Sequence, residues 1–220
     1  MRAVFLDVDD TLVDYERAAR TALAEAVGFA DGWQRWKGLD SHERFARPDL
    51  DYAEFRQLRM RDFLKLMGRD GTRSEEIEQA RFAGIVRHCA LFEDVLPCLA
   101  MLRERDLRIG LITNNETEHQ RRKIAAVGLD TLVDSVAISQ EVGVGKPDAR
   151  IFSHACAQLG VEPGEAMHVG DNGVADVDGA AHAGLRAVWL DRPGAPERLM
   201  PSTRTSYATV TTLAGLGELV

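Results

Sequence analysis

Ala3-Val4-Phe5-Leu6-Asp7-Val8-Asp9-Asp10-Thr11-Leu12-Val13-Asp14 places four carboxylates directly behind four consecutive apolar residues. An unbroken apolar run of this length fits a strand covered on both faces, so Ala3 to Leu6 reads as a buried parallel strand. The acids that follow need a reason. Residues two apart in an extended segment point to the same side, so Asp7 and Asp9 repel each other unless something positive lies between them. A hard divalent cation with oxygen ligands meets that need, and Mg²⁺ held by few carboxylates plus water and phosphate is the usual case.

Working outward, similar apolar runs recur at Leu107 to Thr113, Leu132 to Ile138, Ala166 to Gly170 and Leu185 to Leu190. Helix-period segments lie between them. Leu96, Leu99, Met101 and Leu102 mark one; Ile124, Ala125 and Val127 mark the next, stopped by Gly128; Ile151, Phe152, Ala155, Cys156 and Leu159 mark a third, stopped by Gly160. Strand alternating with helix predicts a doubly wound, mostly parallel α/β sheet of Rossmann-like form. The interval 15–88 differs, with two helical stripes: Ala18, Ala22, Leu23, Ala26 and Val27, then Phe55, Leu58, Phe63, Leu64 and Met67. Ser74 before Glu75 and Glu76 reads as a helix cap. The expected organisation is an α/β core of residues 1–14 and 89–220 with a helical cap domain, 15–88, inserted into it. Arg192 to Pro201 reads as a surface loop.

Composition narrows the partners. The chain has 220 residues and a net charge of -8, which argues against nucleic acid or an anionic membrane as the main partner. No apolar stretch approaches the length of a membrane span, and the chain starts in a strand-like segment without a signal-peptide pattern. Cys89, Cys98 and Cys156 match no metal spacing and read as reduced thiols of a cytoplasmic protein.

In such a sheet, ligands bind outside the carboxyl ends of the strands. Those ends deliver Asp7 and Asp9, then Thr113 and Asn114, then Gly170 and Asp171 with Asp176 five residues on, while Lys146 lies in the loop after the third strand. Acids, a hydroxyl and a lysine thus converge on one edge. Two simpler motif readings fail. Gly143-Val144-Gly145-Lys146 lacks the P-loop's first glycine, with Gln140 there, and Pro147 stands where Ser or Thr is required. Asp7 to Leu12 lacks the glycine of a calcium-binding EF-hand loop.

With those residues in place, the chain resembles the haloacid dehalogenase superfamily. Asp7-Val8-Asp9-Asp10-Thr11 fits its D-x-D-x-T signature, Ile112-Thr113-Asn114 its second motif, Lys146-Pro147 its third, and Gly170-Asp171 with Asp176 its fourth. The helical insertion is similar to the small (C1-type) cap of one branch. The resemblance implies that Asp7 is a nucleophile forming an aspartyl-phosphate and Asp9 a general acid, then base. It implies Mg²⁺ on the carboxylates of Asp7 and Asp171 and the backbone carbonyl of Asp9. It further implies Thr113, Asn114 and Lys146 clamping the phosphoryl group, with Asp176 orienting Lys146 or a metal-bound water from behind. Asp9 sets the chain apart from the metal-free dehalogenases of the family, which lack it, and favours phosphoryl chemistry. Asn172, where many relatives carry serine, is neutral.

The activity implied is a Mg²⁺-dependent phosphatase of a small phosphorylated metabolite, monomeric or homodimeric. A phosphomutase is the first alternative, although Lys37-Gly38-Leu39-Asp40-Ser41 departs from the cap pattern of such enzymes at Ser41. A non-catalytic phospho-switch is the second, disfavoured by Asp9 and the long insertion. Trp33, Trp36, Phe45, Tyr52, Phe55 and Phe63 read as the core of a helical layer, and Lys37, Arg44 and Arg47 as a solvated face. His168, inside an apolar run, reads as a hydrogen-bonded core residue.

Overall fold

The computed structural model describes residues 1–29, 32–39, 52–194 and 199–220, without the side chains of residues 52 and 53. It divides into two compact units, one made of Met1–Asp14 with Ala90–Val220 and the other of Tyr15–Cys89. Cys89 goes with the helical unit because its N–H closes the last helical turn on the Ile85 carbonyl.

The larger unit is a six-stranded sheet in the order β3-β2-β1-β4-β5-β6, with every pairing parallel. The strands are β1 (Ala3–Leu6), β2 (Arg108–Thr113), β3 (Ser135–Ile138), β4 (Ala166–Gly170), β5 (Arg186–Leu190) and β6 (Ala208–Val210). β6 escaped the sequence reading because three half-exposed residues carry no apolar run. All four residues of β1 are fully buried. Phe5 joins a core with Ile151, Phe152 and Ala155, while Val4 and Leu6 point the other way and are also sealed, so the strand is covered on both faces.

The helical stripes differ in how well they were legible. In Ala149–Leu159, Ile151, Phe152, Ala155, Cys156 and Leu159 are all buried, and Gly160 ends the helix at φ 61°, a left-handed conformation that a side chain would oppose. In Val95–Glu104 the inward face is Val95, Cys98, Leu99 and Leu102, and Leu96 is exposed, one step off the expected phase. In Thr117–Ala126 the buried face is Gln120, Lys123 and Ile124, not Ala125 and Val127. The expected surface loop from Arg192 is tied down at both described ends: the Arg192 guanidinium forks onto Asp94 and bonds the Thr11 carbonyl, and Pro201 is buried.

The helical unit contains α1 (Tyr15–Val27), α2 (Trp33–Gly38), α3 (Tyr52–Leu66) and α4 (Ser74–His88). Leu23, Val27, Trp36, Met60, Phe63 and Leu64 form its centre, with Trp36 edge-on to Phe63 at 5.3 Å. These aromatics are core, as their spacing suggested; Phe45 lies outside the described residues, as does the Tyr52 side chain. Ser74 opens α4 rather than capping it, because Asp70 caps the tight turn just before. Lys37 pairs with Glu16 at 3.5 Å; Arg44 and Arg47 lie outside the described residues. Among the described residues, no helix is long and apolar enough to cross a membrane.

Candidate active site

The sheet order creates the site. From β1 the chain winds outward through β2 and β3 on one side and through β4, β5 and β6 on the other, so the winding reverses between β1 and β4, and in such sheets ligands bind at the carboxyl edge there. Asp7 follows β1 and continues the ladder, donating its N–H to the Val169 carbonyl at 2.9 Å. Thr113 is the last residue of β2, and Asp171 follows β4 directly. Asp176 reaches the same place from a wide helical turn, Gly173–Asp178, whose first N–H groups are capped by the Asn172 side chain. Gly170 makes room for it: a Cβ there would sit 2.2 Å from the Asp176 carboxyl carbon.

Lys146 is the hub. It is buried, and its ammonium donates to Asp7 Oδ1 at 2.6 Å, Asp176 Oδ1 at 2.6 Å and the Ile112 carbonyl at 2.8 Å, so all three N–H groups are used. Its loop is gripped by Asn114, whose Oδ1 accepts the Lys146 N–H at 2.7 Å and whose Nδ2 donates to the Lys146 carbonyl at 2.8 Å. Gly145 permits that grip, since a Cβ would meet Asn114 Oδ1 at 2.8 Å. The peptide from Lys146 to Pro147 is cis. His168 touches Asp176 Oδ1 through Nε2 at 3.0 Å, and the Asn172 N–H takes Oδ2. A carboxylate only accepts, so Nε2 carries a proton, and burial holds the histidine's pKa down.

These charges are far from water, and their protonation shows the strain. Burial pushes the Asp7 carboxyl up to about 7; the Lys146 ammonium works against this and the Asp176 charge adds to it. Asp176 is held below the ordinary carboxylate range, the Lys146 ammonium and the His168 N–H overcoming the penalty of burial. Asp171 is buried, fixed by the Thr11 hydroxyl on Oδ1 at 3.0 Å and by Trp189 Nε1 on its carbonyl at 3.0 Å. Oxygens of Asp7, Asp171 and Asp176 all lie within 4.8 Å of one another. Three buried carboxylates so close together repel one another where water screens them poorly. A hard divalent cation suits such an all-oxygen set.

Asp9 behaves otherwise. Its carboxylate is gripped by Lys123 Nζ at 2.6 and 2.5 Å and approached by Asn115 Nδ2 at 3.4 Å. Lys123 is 1% exposed, although it is a lysine on a helix. Thr113 is buried as well, and its Oγ1 receives Gln120 Nε2 at 2.9 Å. Sequence reading singled out neither Lys123, Gln120 nor Asn115. The signal was present: Gln120, Lys123 and Ile124 stand at i, i+3 and i+4, so a helix that buries Ile124 carries the two polar residues inward with it.

Residues 1–184 match the family model of haloacid dehalogenase-like hydrolases. The chain belongs to this family. It is 34% identical to the phosphoserine phosphatase of Thermus thermophilus, over 90% of this chain and 91% of that enzyme. It is 31% identical to the glyceraldehyde 3-phosphate phosphatase of Methanopyrus kandleri, over 87% of this chain and 84% of that enzyme. The fold is shared with YfnB, a HAD-hydrolase of Bacillus subtilis in a magnesium-bound crystal form, at 20% identity and a TM-score of 0.82 over 99% of this chain and 97% of that one. The family assignment makes the protein a hydrolase, and the four motifs meet at one sheet edge.

Proposed function

We propose that the protein is a Mg²⁺-dependent phosphatase of a small phosphorylated metabolite, working through a phosphorylated Asp7. The observation that carries this is the buried Lys146 bridging Asp7 and Asp176 beside Asp171. Its phosphatase relatives favour hydrolysis over group transfer to a sugar. Asp7, at the end of β1, is the nucleophile; a carboxyl with a pKa about 7 must give up its proton to attack. The carboxylates of Asp7 and Asp171 and the backbone carbonyl of Asp9 would hold Mg²⁺, which when bound neutralises charge on the transferring phosphoryl group. Asp176 has both oxygens engaged by Lys146, His168 and the Asn172 N–H, and so acts by orienting Lys146.

The Thr113 hydroxyl holds one phosphoryl oxygen, and Lys146 holds another by exchanging one of its three present bonds for it. The Asn114 side chain is committed to the Lys146 backbone, so its part is to fix the lysine loop and to offer its backbone amide. Asp9, carrying a proton when the substrate arrives, gives it to the leaving oxygen and then takes one from the attacking water, and Lys123 holds the carboxylate that exists between the two steps. The metabolites named by the relatives, phosphoserine and glyceraldehyde 3-phosphate, head the panel of substrates to try. The test is release of p-nitrophenol from p-nitrophenyl phosphate with Mg²⁺. Turnover should vanish in Asp7→Asn; equal turnover in the two proteins would refute the assignment of Asp7.

A further inference from the structure

We propose that Gln120 is a positioning residue that fixes which way the Thr113 hydroxyl proton points. The inference rests on the phosphatase reading and deepens it. The chain of bonds starts at a group whose polarity is beyond doubt, the Glu116 backbone N–H. It donates to Asn115 Oδ1 at 2.8 Å, so the Asn115 amide cannot be turned the other way. Asn115 Nδ2 therefore faces Gln120 Oε1 at 2.8 Å and the Asp9 carboxylate at 3.4 Å, two acceptors, as it must. Gln120 Oε1 is thereby occupied, and Gln120 Nε2 donates to Thr113 Oγ1 at 2.9 Å. A hydroxyl that accepts from one side still owns one proton to give. Among the described residues no acceptor takes it, although Thr113 is only 1% exposed.

The start of the chain is itself anchored. Asn115 donates its N–H to Ser139 Oγ at 3.0 Å, and the Ser139 hydroxyl returns a bond to the Asn115 carbonyl at 3.1 Å. Gln120 is fully buried, so water does not compete for its amide. A fixed backbone donor is thus converted, three side chains later, into an outward-facing O–H donor at the end of β2. A phosphoryl oxygen is an acceptor without a proton, and a hydroxyl whose proton is already turned toward it needs no reorganisation when it binds. Were the polarity reversed, the Thr113 oxygen would present lone pairs to an anion.

Gln120→Glu tests this, since glutamate keeps the size and the contact but can only accept, drawing the Thr113 proton inward. A purely structural Gln120 predicts lost folding stability from the buried charge but no change in phosphate binding that depends on the Thr113 hydroxyl. The expected result is a rise of about tenfold in both the KM for p-nitrophenyl phosphate and the inhibition constant of inorganic phosphate, the scale of one charge-assisted hydrogen bond, with kcat altered much less. Thr113→Val should show a similar rise, and adding the uncharged Gln120→Met to it should change nothing further, because the glutamine acts through that hydroxyl. Gln120→Met, which removes the donor without adding charge, should fall between wild type and Gln120→Glu, and serves if the glutamate variant does not fold. Equal Gln120→Met shifts in the wild-type and Thr113→Val backgrounds, or phosphate inhibition unchanged in both Gln120 variants while Thr113→Val weakens it, would overturn the inference. Phosphate inhibition unchanged in Thr113→Val would remove the phosphoryl clamp itself, and the inference with it.

Discussion

Lys146 shows how one residue can hold a site together and make it costly. Its ammonium offsets two buried carboxylates, and removing one partner of such a group leaves charge stranded away from water. Lys146→Met should lose phosphatase activity and about 3–5 kcal/mol of unfolding free energy in urea titrations near neutral pH, with part of the stability regained by adding Asp176→Asn. Asp7 ties stability to pH. Its pKa stands at about 7 in the metal-free folded protein against an ordinary 3.8, so the folded state keeps a proton that the unfolded state gives up. The stability this contributes is complete below the unfolded value and is lost as pH rises through about 7. A cation binding there must displace that proton. Mg²⁺ affinity should therefore weaken by roughly tenfold per pH unit below about 7, and titration calorimetry in buffers of different ionisation enthalpy should detect proton release near neutrality. Asp7→Asn should abolish the release.

At the scale of elements, what was legible followed from what each helix face presents. The Ala149–Leu159 stripe could be read residue by residue because its inward face is wholly apolar and its end is marked by Gly160. The Thr117–Ala126 helix misled because its inward face is mostly polar; a rule that searches for apolar residues selects Ala125, which is exposed. The motif residues were visible because they follow strands whose apolar runs are distinct. Their supporting residues were not, since Lys123 and Gln120 gain meaning only once the helix is laid beside β2. Gly160→Ala should cost about 1 kcal/mol in urea unfolding, since alanine must adopt a left-handed conformation, and should leave catalysis unchanged. Lys123→Met, which frees the Asp9 carboxylate from its cation, should lower kcat by about tenfold or more while KM for p-nitrophenyl phosphate stays within about twofold.

For the whole molecule, the sequence disclosed the alternation of strands and helices, the interruption by a helical segment and the order of the motifs. It did not disclose β6, nor how the acids divide: Asp171 and Asp176 gather with Asp7, while Asp9 turns to Lys123. Such division depends on side-chain directions that linear spacing does not carry. The gathered acids tie stability to metal. Mg²⁺ at about a hundredfold its dissociation constant should add roughly 2.7 kcal/mol to folding, read as a rise in Tm, and Asp171→Asn should suppress the rise.

The placement of β1 has a further consequence, for synthesis. Its strand leaves the ribosome well before its neighbours, which start at Arg108 and Ala166. At translation rates of about 5–20 residues per second, Ala3 to Leu6 waits for several seconds with no strand to join. The helices of residues 15–89 have nearby partners and can collapse meanwhile. A nascent chain arrested just before Arg108 should therefore expose Phe5 to protease or chaperone, and one whose residues through Val210 have left the ribosome should not.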